Sequence, residues 1–212
     1  MKTGILFDLD GTLLDTLQDL ADAVNYILVK YGCPERSIEE IRRFVGNGVR
    51  QLIRLSLPGG ESEEYIDRVL ADYQVYYGAH AQEKTCPYKG IPEALKAIRE
   101  KYPVAIVSNK HNAAVKPLCE DFFPGIYALG ETPDCPRKPA PDMLHKAMQA
   151  IGVERCIYVG DSDVDVITAH NTGAKCLSVL WGFRDKADIE EVGGKYFCDD
   201  PADLLRKLEE LM

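Results

Sequence analysis

The sequence of 212 residues lacks several features that define whole classes of protein. No apolar stretch approaches the roughly 18 residues that a membrane-spanning helix needs. The seven cysteines form no CxxC pair and the four histidines show no ligand spacing, so we expect no zinc site. Internal repeats and low-complexity segments are absent as well. The sequence therefore points away from integral membrane proteins, zinc proteins and repeat proteins.

Positive charge is also scarce in this chain. It has 25 lysines and arginines against 34 aspartates and glutamates, which gives a net charge of −9. Such a balance argues against nucleic acid or an anionic membrane as the main partner. Because the cysteines are odd in number and widely spaced, we expect reduced thiols in a cytoplasmic protein. Because an apolar strand is predicted almost at the first residue, we expect no secretory signal. No pattern favours a monomer over an oligomer.

The most informative feature present is a pair of aspartates directly after a short apolar run. Ile5 to Phe7 are predicted to form a buried strand of a parallel sheet. Asp8 and Asp10 follow at its carboxyl end, where open α/β sheets bind ligands. Buried carboxylates are costly there unless a cation or hydrogen-bond donors meet them. An Asp-Gly turn alone is common, so the pair needs support from the rest of the chain.

That support comes from polar residues that follow two later apolar runs, and from one lysine between them. Each of these residues alone has an ordinary interpretation. A serine after a strand is usually a turn or a helix cap, an aspartate there is often a helix cap, and a single lysine is usually a solvated charge. Because strands of a parallel sheet end at the same edge, together they predict a cluster around the first aspartates. The residues concerned are Ser108, Asn109, Lys138, Asp161 and Asp165.

The spacing of the motifs predicts two domains. The interval between the first and second strands is too long for one crossover helix. It contains four helical patterns, which we assign to a cap at 16–82 inserted into a core at 1–15 and 83–212. Beyond Gly90 the pattern alternates between helices and strands, which is typical of a parallel sheet with right-handed crossovers. The expected helices are 91–101, 111–121, 140–151, 162–172 and 201–211, and the expected strands are 103–107, 126–129, 156–159, 175–179 and 195–198.

On these motifs the sequence resembles the phosphatase branch of the haloacid dehalogenase superfamily, over nearly its whole length. Asp8-Leu9-Asp10-Gly11-Thr12 is similar to the first family motif, Ser108 to the second, Lys138 to the third, and Gly160-Asp161 through Asp165 to the fourth. The resemblance implies an α/β fold, a Rossmann-like doubly wound parallel sheet with an inserted all-helical cap. Dehalogenases of this superfamily lack the second aspartate, so Asp10 argues for phosphoryl transfer.

The resemblance also implies a role for each motif residue. Asp8 is expected to be the nucleophile that forms an aspartyl-phosphate. Asp10 is expected to protonate the leaving alkoxide and then take a proton from the hydrolytic water. Lys138 and Ser108 are expected to contact phosphoryl oxygens, together with backbone N–H groups near Leu9, Asp10 and Asn109.

A carboxylate that attacks a phosphate dianion needs a cation, and Mg²⁺ suits such oxygen ligands. We expect Asp8 and Asp161 to supply carboxylate ligands, while the resemblance adds the backbone carbonyl of Asp10. Asp165 is either a further ligand or an anchor that acts through a neighbour or a water.

The cap resembles that of the phosphoglycolate phosphatase group. Gly46, Asn47 and Gly48 could let backbone amides approach an anion, and Arg50 could meet a substrate carboxylate. A helix–helix turn with a solvent-facing arginine explains the same residues, so both interpretations stay open.

Several functions remain open at this stage. A phosphatase for a small phosphorylated metabolite, phosphoglycolate or a relative of it, leads. A pyrophosphatase or a sugar or nucleotide phosphatase follows, while a phosphomutase is disfavoured because the expected His and Lys are missing from 16–20. A phosphonate hydrolase is disfavoured as well, because it would need a reactive cap lysine and neither Lys30 nor Lys84 has a suitable context. A receiver-type signalling module is the non-enzyme alternative, but it would be shorter, without a cap and without the acid at Asp10.

Overall fold

The structure, a computed structural model, describes residues 2–212, which form two compact units. The first, here called the core unit, comprises the chain up to Asp15 and Pro87–Met212. The second, here called the helical unit, comprises Thr16–Cys86. Its C-terminal boundary lies at 86/87, whereas the sequence pattern placed it at 82/83.

The core unit is built on one six-stranded sheet in which all recorded pairings are parallel. A separate two-stranded sheet pairs β2 with β3, where the chain leaves the core unit and returns to it. The strands of residues 2–212 are β1 (Thr3–Phe7), β2 (Leu14–Asp15), β3 (Cys86–Pro87), β4 (Val104–His111), β5 (Tyr127–Glu131), β6 (Arg155–Gly160), β7 (Lys175–Val179) and β8 (Tyr196–Cys198).

The helices alternate with these strands after β3, as the sequence predicted. Four lie in the helical unit: α1 (Leu17–Lys30), α2 (Ile38–Phe44), α3 (Val49–Ser56) and α4 (Glu63–His80). The core unit contains α5 (Ile91–Arg99), α6 (Asn112–Phe122), α7 (Asp142–Ile151), α8 (Asp163–Thr172), α9 (Lys186–Glu191) and α10 (Leu204–Glu210). The predicted α/β class, with a parallel sheet core and an inserted helical segment, is confirmed. The short helix α9 and the pair β2–β3 were not predicted.

Both faces of the sheet are covered by helices. In β1 the side chains of Ile5 and Phe7 pack into one hydrophobic cluster, with residues of α5, α6 and α10. Leu6 points to the other face and packs into a second cluster, with residues of α7, α8 and α9. Burial on both faces explains why this strand is a continuous apolar run rather than an alternating one.

The order of the strands marks one place in the sheet. In space the order is β5-β4-β1-β6-β7-β8. By chain order within the sheet this is third, second, first, fourth, fifth, sixth, so the winding direction reverses between β1 and β6. Open α/β sheets bind ligands in the crevice at the carboxyl ends of the strands beside such a reversal.

The helical unit fastens its own two ends together. Asp19, in the first turn of α1, is buried and accepts hydrogen bonds from the backbone N–H groups of Lys84 and Thr85 and from the Thr85 hydroxyl, at 2.7–3.0 Å. The capping box predicted at Ser37 and Glu40 is present at the start of α2. Within residues 2–212 no helix is long and apolar enough to cross a membrane.

Candidate active site

The carboxyl ends of β1 and β6 bring the predicted aspartates together. Asp8 follows β1 directly, and its backbone N–H donates to the carbonyl of Val159 in β6 at 2.8 Å. Asp161 follows β6 directly. One carboxylate oxygen from each of Asp8, Asp161 and Asp165 lies within 4.8 Å of the others, and all three residues are buried. Residues more than 150 positions apart therefore meet at the reversal of the strand order.

Lys138 is the cation at the centre of this cluster. Its side chain is 2% exposed, and its ammonium lies 2.9 Å from Asp8 Oδ1 and 2.8 Å from Asp165 Oδ1. Burial alone would lower the pKa of Lys138, but the Asp165 and Asp8 carboxylates raise it above its ordinary value. The side chain is therefore a charged ammonium that restrains both aspartates.

Two neutral side chains hold Lys138 in place. The ammonium donates to the Tyr158 hydroxyl at 2.8 Å, and that hydroxyl donates to the carbonyl of Val107 at 3.1 Å. Asn109 brackets the lysine backbone, because its amide accepts from Lys138 N and donates to Lys138 O, both at 2.9 Å. The sequence indicated Asn109 for its backbone N–H, whereas Tyr158 was not predicted as a site residue.

Asp161 is fixed by contacts to both of its carboxylate oxygens. The Thr12 hydroxyl donates to Oδ1 at 3.0 Å, and the backbone N–H of Phe183 donates to Oδ2 at 2.7 Å. A Cβ at Gly182 would overlap the Asp161 side chain, so only glycine fits at that position. The loop after β7 and the turn after β1 therefore hold one carboxylate between them.

The cluster carries more negative than positive charge. Burial and the neighbouring Asp165 raise the pKa of Asp161 to about 7. Burial also raises the pKa of Asp8 well above its usual value, although Lys138 opposes that shift. Asp8 and Asp165 share one ammonium, the Asp161 carboxylate lies beside them, and the donor atoms of all three are oxygens. A hard divalent cation fits such a site, because it neutralises the excess charge and prefers oxygen ligands.

Asp165 has a different environment from the other two carboxylates. It is the third residue of α8 and closes a capping box, in which Asp165 Oδ2 accepts from Ser162 N at 3.1 Å and from Ser162 Oγ at 2.6 Å. Its Oδ1 accepts from Lys138 at 2.8 Å. Because one oxygen is paired with the Lys138 ammonium and the other accepts two hydrogen bonds in the capping box, the contacts favour an anchor for Lys138 over a direct metal ligand.

Asp10 stands beside this cluster with two partners of its own. The Ser108 hydroxyl lies 3.4 Å from Asp10 Oδ2, and the ammonium of Lys110 lies 2.8 Å from Asp10 Oδ1. Lys110 was not predicted as a site residue, although it directly follows the Ser108-Asn109 motif. Ser108 itself lies inside β4 rather than after it, because the strand continues through an irregular stretch to His111. The backbone N–H of Leu9, expected to bind phosphate, donates to Asp8 Oδ1 at 2.7 Å.

The predicted cap residues lie in the helical unit around the start of α3. Gly46 and Gly48 have φ angles of 119° and 78°, a backbone conformation that residues with a side chain rarely adopt. Asn47 between them is exposed. Arg50 forms ion pairs with Glu63 and Asp67 of α4. A substrate carboxylate would compete with these two partners, so the role of Arg50 toward substrate stays a prediction.

The chain is similar in sequence and in fold to known proteins. The sequence model of the family described as haloacid dehalogenase-like hydrolase matches residues 5–179. A phosphoglycolate phosphatase of Pseudomonas fluorescens (strain Pf0-1) is 34% identical over 215 residues, which cover 96% of this chain and 77% of the relative. A solved structure from Lactobacillus delbrueckii subsp. bulgaricus, named as a candidate phosphoglycolate phosphatase, is 35% identical, with a TM-score of 0.91 and coverage of 100% and 99%. A haloacid dehalogenase-like family hydrolase from Streptococcus pneumoniae is 26% identical, with a TM-score of 0.88 and 98% coverage of both chains.

Proposed function

The chain belongs to the haloacid dehalogenase-like hydrolase family and is a phosphatase, and from this premise we propose that it hydrolyses a small phosphomonoester of the phosphoglycolate type. The observation that carries the proposal is the contact of Lys138 with Asp8 at the reversal of the sheet, with Asp161 in the same cluster. The relatives that share about a third of the sequence support the substrate class, since they are named phosphoglycolate phosphatases.

Asp8 is the nucleophile in this proposal. Its Oδ1 accepts from Lys138 and from the N–H of Leu9, and these two donors fix the carboxylate at the end of β1. Attack on phosphorus forms a bond from Asp8 to the phosphoryl group and breaks the bond to the leaving oxygen. The covalent intermediate divides one very slow hydrolysis into two easier steps.

Asp10 moves the protons, and the donors near it bind the phosphoryl group. Its carboxylic acid gives a proton to the leaving alkoxide, and its carboxylate then takes one from the water that attacks the intermediate. Ser108 donates its hydroxyl to a phosphoryl oxygen. Lys138 adds a positive charge, and backbone N–H groups near Leu9, Asp10 and Asn109 complete the phosphate site.

Mg²⁺ is the cofactor we propose. The residues that would hold it are Asp8 and Asp161, with the backbone carbonyl of Asp10, while Asp165 anchors Lys138. When bound, Mg²⁺ neutralises phosphoryl oxygens and so reduces the repulsion between substrate and nucleophile. The unbalanced negative charge of the three buried carboxylates supports this assignment.

The proposal predicts that Asp8→Asn abolishes phosphate release while the fold is retained, because an amide cannot attack phosphorus. The measurement is phosphate release with Mg²⁺ from phosphoglycolate, pyrophosphate, sugar phosphates and nucleotides. Asp134→Asn is the matched control, since Asp134 is an exposed carboxylate that pairs with Lys146 at the surface.

The panel also separates the competing functions. We expect one small phosphomonoester to stand well above the rest, and a mass increase of one phosphoryl group on the peptide that contains Asp8. Preference for pyrophosphate or a nucleotide would replace the substrate class but keep the chemistry. Normal turnover by folded Asp8→Asn would overturn the mechanism, and a stable phosphorylated Asp8 without turnover would favour a signalling module.

A further inference from the structure

Strand β4 carries an irregularity next to Asp10. Val107 pairs with Leu129 and His111 pairs with Glu131, so β4 advances four residues while β5 advances two. The extra residues lie within the stretch that contains Ser108 and Lys110. Bulges of this kind re-aim side chains and are frequent beside active sites.

Gly130 on β5 makes room for this bulge. A Cβ at Gly130 would lie 2.7 Å from the carbonyl oxygen of Lys110 and 2.6 Å from the Cα of Asn112, which is closer than real Cβ contacts allow. The backbone N–H of Gly130 donates to the Asn112 side chain at 3.0 Å. The missing side chain therefore lets the β4 backbone approach β5 at this one position.

The bulge directs two side chains onto the two oxygens of Asp10. Lys110 lies 2.8 Å from Oδ1, and Ser108 lies 3.4 Å from Oδ2. The backbone N–H of Lys110 donates to the Ser108 hydroxyl at 3.1 Å, which links the two contacts. The side chains of Lys110 and Asp10 are only 8% and 12% exposed. Lysine is rarely buried to this extent unless it is paired, so the ion pair is a specific feature of the fold.

We propose that Lys110 is a positioning residue that orients Asp10 for its two proton transfers. The inference rests on the proposed function and assigns a role to a residue that has none in it. The Lys110 ammonium holds Asp10 Oδ1 at 2.8 Å, so it still orients the carboxyl group when the Ser108 hydroxyl turns to a phosphoryl oxygen. Misplacement of a catalytic group by about 1 Å can cost about 10²-fold in rate.

Lys110 itself exchanges no proton in this scheme. In the first half-reaction the electron pair of the broken P–O bond goes to the leaving oxygen, which takes the proton of Asp10. In the second, water forms the new P–O bond and gives its proton to Asp10, and the electron pair of the broken bond returns to Asp8. Lys110 stays an ammonium throughout and holds Asp10 Oδ1.

The experiment compares two leaving groups. An alkyl phosphate needs a proton on its departing oxygen, whereas p-nitrophenyl phosphate releases a stable anion without one. For Lys110→Met we expect kcat/KM on the alkyl phosphate to fall by about 10²-fold and on p-nitrophenyl phosphate by less than about threefold, since the acid contributes little there. Lys110→Arg, which keeps the charge, should recover part of the loss.

Three controls make the result specific. Lys146→Met removes an exposed lysine that also pairs with an aspartate, and should change neither substrate. In an Asp10→Asn background, Lys110→Met should cause no further loss, because residues that act as a unit are not additive. Thermal unfolding of each variant verifies that it is folded.

Other outcomes overturn the inference. Equal losses on both substrates with a raised KM would make Lys110 a substrate-binding residue, and a further loss in the Asp10→Asn background would show that it acts independently. Unchanged activity on both substrates would leave it with no role in turnover. Release of p-nitrophenolate by the wild type but not by Asp8→Asn upholds the proposed phosphatase mechanism whatever Lys110 does, whereas a wild type inactive on both substrates would overturn both proposals.

Discussion

Asp161 illustrates how the fold keeps a carboxylate buried in the site although a charged carboxylate is more stable in water. Its carboxylate is buried, is bound through both oxygens, and lies beside Asp8 and Asp165. The raised pKa, about 7, means that the folded protein disfavours the charged form. Functional sites of this kind lower the free energy of unfolding, because they bring together like charges that only a bound ligand neutralises.

We predict that Asp161→Asn is at least as stable as the wild type when divalent cations are removed. The pKa of this carboxyl rises from 3.8 in the unfolded chain to about 7 in the folded one, so the metal-free wild type loses stability as the pH rises between these values. The amide removes that charge, can donate to the Thr12 hydroxyl, and can still accept from Phe183 N.

The measurement is the unfolding midpoint at pH 8 with chelator and with excess Mg²⁺. Mg²⁺ should raise the midpoint of the wild type and of Asp134→Asn but not that of Asp161→Asn. A variant that is clearly less stable than the wild type in chelator, or that keeps the full response to Mg²⁺, would contradict this account.

At the scale of elements, the ends of β1 and β6 were predictable from the sequence. The irregular stretch of β4 was not. The aspartates after β1 and β6 follow short apolar runs, so periodicity and residue type together located them. Tyr158 was missed because a tyrosine inside an apolar strand looks like core. Lys110 was missed because its partner Asp10 is 100 positions away and the bulge that joins them depends on the pairing of β4 with β5.

Three short elements were not predicted because each is too short to show a periodic pattern. Helix α9 has six residues with one buried side chain, Ile189, so it shows no helical period. Strands β2 and β3 have two residues each, too few to show alternation. The roles of Asp8, Asp10 and Lys138 came from the family resemblance rather than from the spacing, and they remain to be tested by the variants above.

We predict that Gly130→Ala lowers both stability and activity. Its Cβ would press on Lys110 O and Asn112 Cα, and such overpacking typically costs about 1–3 kcal/mol. Because the affected backbone carries Lys110, we expect the alkyl phosphate to lose more kcat/KM than p-nitrophenyl phosphate does. Gly78→Ala in α4 is the control: apart from the adjacent residues and the nearby backbone of α4 itself, no atom lies within 4 Å of a Cβ there, and the helix should gain about 0.5–1 kcal/mol. Denaturant unfolding and the two rates check both variants, and unaltered stability in Gly130→Ala would contradict the proposed fit.

At the scale of the whole molecule, most cysteines are buried as free thiols and are placed as packing residues rather than as reactive groups. All seven are free thiols; Cys86 is exposed and Cys33 is half-buried. The other five are buried. Burial raises the pKa of Cys119 to about 12 and those of Cys156 and Cys198 to about 11. The buried thiols pack as small apolar side chains.

We predict that a thiol reagent at pH 8 modifies Cys86 rapidly in the native protein and reaches the five buried cysteines only after unfolding. The thiolate is the reactive form, and a raised pKa leaves little of it at this pH. Counting modified thiols by mass with and without urea tests the expectation. Cys86→Ser should remove the fast phase, and rapid modification of Cys119 or Cys156 in the native state would contradict the packing.

The buried contacts of Asp19 have a consequence for the history of the chain. They tie Lys84 and Thr85 to the first turn of α1, so the inserted segment enters and leaves at one place. An inserted segment disturbs the surrounding fold least when the two ends of the segment lie close together. Such insertions are tolerated at little cost in stability. The segment 16–86 is therefore exchangeable in principle: one lineage can replace it with another module and acquire a new specificity, while the inherited sheet keeps its chemistry.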